Sequence, residues 1–420
     1  VGGELTSLNA PTRNRIAALD AATGALDPGF RTDASDYVQA LALSSDGTRL
    51  FLGGTFAKVN GKARTNVAAV DAVTGALDSA WNPGAKGGPV MALAVSGGRL
   101  YLGGKFATVA GADVPRLAAV DPLTGAVVSG WRPAPDSWVA VLTPSPGGTL
   151  VYAGGDFAAI GGRTQYRLAA VRSDTGTVSP WAPYVTYPVL TLTLSPDGTR
   201  LYSGGAGYNT YGNKASAYNT SLNGPPVWQT WGDGNVQGLG LSPAGDVLYI
   251  GGHFAYQNGV PRQHIAAVRT ADGVILPFAP VVNSALGVWF LSMNAGTLFI
   301  GGDFTIVAGV LQEGFARFPG TGPSVRVTSG PADGWSATGT SVTYGGTATS
   351  PGGRVVRVEV SADGAPSTAP ASPARIAAPA RPPGRGPSRA RCPRRTTPST
   401  YGPSTATGHR RRSSGTTPST

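Results

Sequence analysis

The chain has 420 residues, 41% of them apolar, with 62 Gly and 35 Pro, which suits a large core of short strands joined by tight turns. The formal charge of +11 is concentrated at one end: residues 1–364 hold 23 Lys/Arg against 22 Asp/Glu, whereas 365–420 hold 10 Arg and no acid. The near-neutral body gives no electrostatic reason to expect nucleic acid or anionic lipid, no apolar run is long enough to span a bilayer, and the single Cys392 excludes an intrachain disulfide.

Seven glycine pairs begin at Gly2, Gly53, Gly103, Gly154, Gly204, Gly251 and Gly301, at intervals of 51, 50, 51, 50, 47 and 50. That period is the spacing of propeller blades, not of helical solenoids. Repeat 2 shows the parts. Residues 38–44 read as a nearly continuous apolar innermost strand, and Ser45-Asp46-Gly47 as a tight turn. Residues 49–56 form the second strand, whose glycines permit a bulge or a close backbone approach. Asn60-Gly61 marks a hairpin turn, 66–71 the third strand, and Asp71 to Gly75 the turn into an outer strand ending at Trp81. Four strands make one blade.

Third strands recur at Arg15, Arg116, Arg167 and His264, and blades end on Phe30, Trp81, Trp131, Trp181 and Phe278, aromatics expected to fill the wedge between neighbouring blades. Five blades are complete between Tyr37 and Ala285; 1–36 lacks its first strand and 286–318 shows three. The expectation is an all-β fold: a β-propeller over 1–322 with seven four-stranded blades, six or eight being left open. Val1 falls inside a repeat, so an upstream segment is expected. Residues 323–365 alternate like sandwich strands but are too few for a domain of ~100 residues, so they read as a truncated immunoglobulin-like segment. Residues 366–420, almost without aliphatic or aromatic side chains, read as disordered. The abrupt loss of pattern, with 28 Arg against 5 Lys in the whole chain, fits a shifted reading frame in a GC-rich gene; the alternative is a basic linker or wall-associated tail.

Thr23 to Asp27 followed by Phe30, Thr74 to Asp78 followed by Trp81, and the recurring Gly-Gly-x-Phe and Ala-Ala-Val-Asp pieces resemble the delta-60 repeat family of bacterial β-propeller proteins. The match covers residues 1–320 and departs from the pattern in repeat 5. The stretch Val358 to Gly364 is similar to bacterial immunoglobulin-like domains. The resemblance implies an extracellular or cell-surface protein and brings no catalytic residues with it.

Blade geometry sorts the loops onto two faces. Turns after the first and third strands are uniform, and their Asp and Ser read as turn-makers. The opposite face carries the loops after the second strands and the blade-to-blade crossings, which vary, as binding loops on repeat scaffolds do. Repeat 5 loses the Phe after its glycine pair and adds Trp228 and Trp231. It reads first as a drifted blade. Its functional reading is an aromatic platform of Tyr208, Tyr211 and Trp138, with Asn213 and Tyr256, for a sugar ring.

Only His253 and His264 lie in the propeller, and the innermost strands carry no ionisable side chain, so no catalytic residues, metal or cofactor are expected. His253 occupies the place that Thr55, Lys105, Asp156 and Asp303 take elsewhere, a variety that points to solvent. The sequence reading is a monomeric, non-catalytic binding or structural module for a carbohydrate or cell-wall polymer. The alternative is a surface-protein scaffold, with a hydrolase or kelch-like oxidoreductase third.

Overall fold

The computed structural model describes residues 14–207, 213–294 and 296–318, and the backbone of 324–329 and 345–349. Two compact parts divide the chain, Val1–Val358 and Glu359–Thr420, and every described residue lies in the first. Six antiparallel sheets succeed one another, one for each glycine pair from repeat 2 to repeat 7. Their innermost strands are Val38–Leu43, Val90–Ser96, Val139–Pro144, Val189–Leu194, Val236–Leu241 and Val282–Asn294. Each pairs with its glycine-pair strand, which pairs in turn with the third strand. Repeat 7 has the three strands expected of it, ending at Phe315–Phe318, with the first beginning at Val282 rather than at 286. Of repeat 1, the described residues show an outer bridge, Leu19↔Leu26.

The expected fourth strand is reduced. Among the described residues only repeat 5 has one, Trp228–Trp231; in repeats 2, 3, 4 and 6 it shrinks to single bridges, Val70↔Leu77, Val120↔Val127, Val171↔Val178 and Val268↔Ile275. The closing aromatics fill the wedge between neighbouring repeats. Trp81, Trp131, Trp181 and Trp228 pack on Phe51, Tyr101, Tyr152 and Tyr202 of their own repeats, with ring centroids 5.1–5.9 Å apart. Trp131 and Trp181 then donate their indole N–H to carbonyls of the following repeat, Arg172 at 3.0 Å and Asn219 at 2.9 Å. Trp228 does the same to Thr270 at 2.8 Å, so it is the regular closing aromatic of repeat 5, displaced in sequence.

The glycine pairs explain how blades stack. A Cβ on Gly53, Gly103, Gly154, Gly204 or Gly251 would lie only 2.5–2.8 Å from Cγ1 of Val90, Val139, Val189, Val236 or Val288, a valine of the next innermost strand. The missing side chain is a socket for the neighbouring blade. Opposite each pair the innermost strand carries a bulge, as between Val38 and Ala40 or Val90 and Ala92.

The uniform turns are capped by their acids. Asp46 accepts hydrogen bonds from the Ser44 and Thr48 hydroxyls and the Thr48 N–H, and Asp197 repeats the pattern. Asp71 and Asp121 cap the third-strand turns through Thr74 and Thr124. The hydroxyl bond from Ser44 leads in pulling the Asp46 carboxyl down to about 2. A depressed pKa means that the cap stabilises the fold above the ordinary carboxylate range and loses that contribution as pH falls through about 2. NMR titration should give Asp46 that midpoint in the wild type. In a Ser44→Ala variant the midpoint should rise toward the ordinary Asp range, and an unchanged value would remove Ser44 as the cause.

Beyond the sheets, Ser324–Ser329 pairs antiparallel with Gly345–Thr349. The third strand expected at 354–361 and the tail at 366–420 lie outside the described residues. No helix among the described residues is long and apolar enough to cross a membrane.

Candidate functional site on the variable face

The variable face is built from small ribbons that join one repeat to the next. After each glycine-pair strand, a two-residue hairpin turns back: Lys58–Val59 on Lys62–Ala63, Thr108–Val109 on Ala112–Asp113, Ala159–Ile160 on Arg163–Thr164, Tyr256–Gln257 on Val260–Pro261. The turn residues Asn60, Ala110, Asn258 and Ala308 have φ near +50°, the left-handed conformation such tight turns require. The N–H of each turn residue is taken by a carbonyl on the crossing from the preceding repeat. The pairs are Asn60 with Asp33, Ala110 with Pro83, Gly161 with Pro133, Asn258 with Trp231 and Ala308 with Val281. These bonds align the repeats position by position.

A second contact was not read from the sequence. The first residue of the third strands adopts positive φ: Arg15 (73°), Asn66 (62°), Arg116 (65°), Arg167 (64°) and His264 (64°). The turn sends the side chain toward the next crossing. Asn66 Nδ2 donates to the Ala85 and Gly88 carbonyls at 2.8 and 2.9 Å, Arg116 to Pro135 at 3.0 Å, and the Arg15 guanidinium lies 5.2 Å from the Tyr37 ring centroid. The only sequence signal was a polar residue opening an otherwise apolar third strand.

The residues singled out in the sequence fall in different places. Tyr208 and Tyr211 lie outside the described residues. Asn213 is buried: its Oδ1 accepts the Gly207 N–H at 3.2 Å and its carbonyl accepts that of Gly232 at 2.9 Å, so it braces the backbone. Trp138 is half-buried between repeats 3 and 4, with Lys105 Nζ 5.9 Å from its ring centroid. Tyr256 is 49% exposed on the hairpin of repeat 6. Trp138, Asn213 and Tyr256 share no hydrogen bond or ring contact. Of the variable position after the glycine pair, Lys105 and Asp303 are exposed, while Thr55, Asp156 and His253 are half-buried. Asp156 there pairs with Arg167 at 3.4 Å.

What the sequence reading did not single out as a contact is the partner of Tyr256 across the ribbon. Gly232 bridges Gln257 in antiparallel register, with both buried. Side chains alternate along such a pair, so Trp231 and Asp233 share the solvent side with Tyr256. Trp231 is 58% exposed.

The topology of successive three-stranded sheets with cross-blade sockets can now be set beside known proteins. No family model and no curated protein matches the chain. Among solved structures it is similar to a chain of the mitotic checkpoint complex, at 15% identity and TM-score 0.50 over 68% of this chain and 77% of that one. It is also similar to the WD40 β-propeller domain of Doa1, at 12% identity and TM-score 0.47 over 64% and 77%. The chain is a β-propeller. At such identities the likeness extends to the fold alone.

Two cavities mark the propeller's opposite, turn-bearing face. One of about 410 Å³ is lined by Thr193, Leu194, Leu239, Leu241 and Met293; another of about 380 Å³ is lined by Ser195, Asp197, Thr199 and Tyr202. The first has no charged lining, and Ser195, Asp197 and Thr199 in the second already bond one another. The variable face, whose side chains differ from repeat to repeat, is the better candidate.

Proposed function

We propose that the chain is a non-catalytic binding module of the cell surface or extracellular space, and that it holds a protein partner against repeat 7 of the variable face. One comparison between equivalent ribbon positions carries the reading. Repeats 2, 3 and 4 present Asp33, Lys58 and Ala63; Pro83, Thr108 and Asp113; Pro133, Ala159 and Thr164. Repeat 7 presents Val281, Ile306 and Leu311, exposed at 59%, 40% and 70%. A scaffold position that accepts charge elsewhere is here made apolar, and burying such a patch stabilises a complex by ~25 cal/mol per Å².

The non-catalytic part rests on how the acids are used: Asp46, Asp71, Asp121 and Asp197 hold turns, and Asp233 accepts two backbone N–H groups. The extracellular location rests on the sequence resemblance. We read the ring as seven-bladed over 1–322. The Arg317 side chain of repeat 7 lies 3.9 Å from the Cβ position of Gly24, so the outer turn of repeat 1 borders repeat 7. The hairpin of Ser324–Ser329 with Gly345–Thr349 supports a β-sandwich segment over 323–365.

The test is a photo-crosslinking residue placed at Ile306, or at Val73 on the turn face, in the full chain mixed with surface extract of the source cells. A discrete adduct should form from Ile306 alone and vanish when Leu311→Asp is added. Equal adducts from Val73, or an adduct indifferent to Leu311→Asp, would sink the reading.

A further inference from the structure

The ribbon joining repeats 5 and 6 departs from its counterparts in a different way. At the crossing position, where other repeats have Asp33, Pro83, Pro133 and Val281, it has Trp231. At the hairpin position held elsewhere by Lys58, Thr108, Ala159 and Ile306, it has Tyr256. Both rings are about half exposed, at 58% and 49%. They are diagonal neighbours on the solvent side of one antiparallel ribbon, a separation of roughly 7–8 Å between backbones.

Two polar groups stand with them. Asn258 Oδ1 accepts the Trp231 N–H at 2.9 Å, and Asp233 Oδ1 accepts the N–H groups of Ala255 and Tyr256 at 2.8 and 2.9 Å. These bonds fix both side chains by one oxygen and leave Asn258 Nδ2 and Asp233 Oδ2 without a protein partner among the described residues. The ribbon thus offers two half-exposed aromatic rings, one free amide donor and one free carboxylate acceptor on one side. A purely apolar protein contact has no use for the last two. A pyranose uses all four: its C–H face stacks on a ring while its hydroxyls donate to the carboxylate and accept from the amide.

We infer that the Trp231–Tyr256 ribbon is a binding site for neutral pyranose-containing glycans, with Asp233 and Asn258 as its hydrogen-bonding pair. The carboxylate disfavours acidic sugars through like-charge repulsion. The site is independent of the protein-binding patch on repeat 7, since Val281, Ile306 and Leu311 belong to the following ribbon. It also differs from the platform of Tyr208, Tyr211 and Trp138 read from the sequence, keeping only Tyr256.

The experiment is a glycan array spanning neutral and acidic pyranose oligosaccharides, probed with the full chain and followed by tryptophan-fluorescence titration of the best neutral ligand. Saturable binding of neutral glycans is expected. Trp231→Ala should weaken it by about tenfold or more. Asp233→Asn, which keeps the oxygen that holds Ala255 and Tyr256, should weaken it while leaving the melting temperature unchanged. An Ile306→Asp variant, aimed at the protein patch, should bind glycan like the wild type. Absence of binding across the neutral glycans, or Trp231→Ala binding at full strength, would overturn the inference whatever the crosslinking shows.

Discussion

Gly104→Ala is expected to destabilise the propeller by about 3 kcal/mol or more, whereas Gly301→Ala should change stability by no more than about 0.5 kcal/mol. An alanine Cβ at 104 would lie 2.1 Å from the Pro89 carbonyl oxygen and 3.1 Å from both Pro89 C and Val90 Cα. These are backbone atoms, so no rotamer change relieves the overlap. The carbonyl cannot withdraw easily either, because it accepts the Lys105 N–H at 3.0 Å, and Gly104 is itself tied to the Arg116 carbonyl at 2.9 Å. Relief requires parting the innermost strand of repeat 3 from its neighbour. At Gly301 the nearest heavy atoms to a Cβ are 3.8 Å away, because no valine of a following blade enters this socket in the described residues. Chemical denaturation of the two variants beside the wild type decides it. Equal costs would mean that the close approach of the Pro89 carbonyl to Gly104 does not decide what a Cβ costs at these positions.

That contrast shows what could be read from the sequence. The period of the glycine pairs, the Asp-Gly and Asn-Gly turns and the closing aromatics were legible because each depends on local chemistry that repeats in register. The face on which the glycines matter was not, because it depends on Val90 or Val139 arriving from the next repeat. The reach of the closing tryptophans was illegible for a related reason: Trp131 donates its indole N–H to the Arg172 carbonyl, a contact between repeats. Trp231 was visible as an added tryptophan in an irregular repeat, but its meaning needed the Trp231–Asn258 bond, which sets it level with Asp33 and Pro133. Asn213 looked like a ligand group by composition and turned out to be buried, with its amide oxygen engaged by Gly207. Exposure is decided by loop closure, which no residue type announces.

Repeat 5 supplies the second large effect. Repeats 2, 3, 4 and 6 bury Phe56, Phe106, Phe157 and Phe254 after the glycine pair, where repeat 5 has Gly207. Tyr187, which is 1% exposed, enters from the preceding crossing instead, and its ring lies 2.2 Å from the Cβ position of Gly205. Its hydroxyl lies 2.8 Å from the Ser203 hydroxyl and 2.7 Å from that of Ser216, which stand where repeat 2 has Leu52 and Ala68. The blade has thus kept its core by taking the aromatic from another segment and adding a buried hydroxyl network. Burial pushes the Tyr187 phenol well above its ordinary range, so the group stays neutral. Tyr187→Ala should cost about 3–5 kcal/mol, like Phe157→Ala in a regular blade, because both open a cavity in a fully packed wedge. Tyr187→Phe should cost about 1–3 kcal/mol, since Ser203 keeps a buried hydroxyl with no partner. The triple variant with Ser203→Ala and Ser216→Ala should recover most of that loss, because Phe against alanines restores an apolar core. If Tyr187→Phe proved neutral, the hydroxyls would contribute nothing net and repeat 5 would be simple drift. If the triple variant were worse than the single one, the serines would be needed for their own bonds, such as that from Gln229 to Ser216 at 3.1 Å.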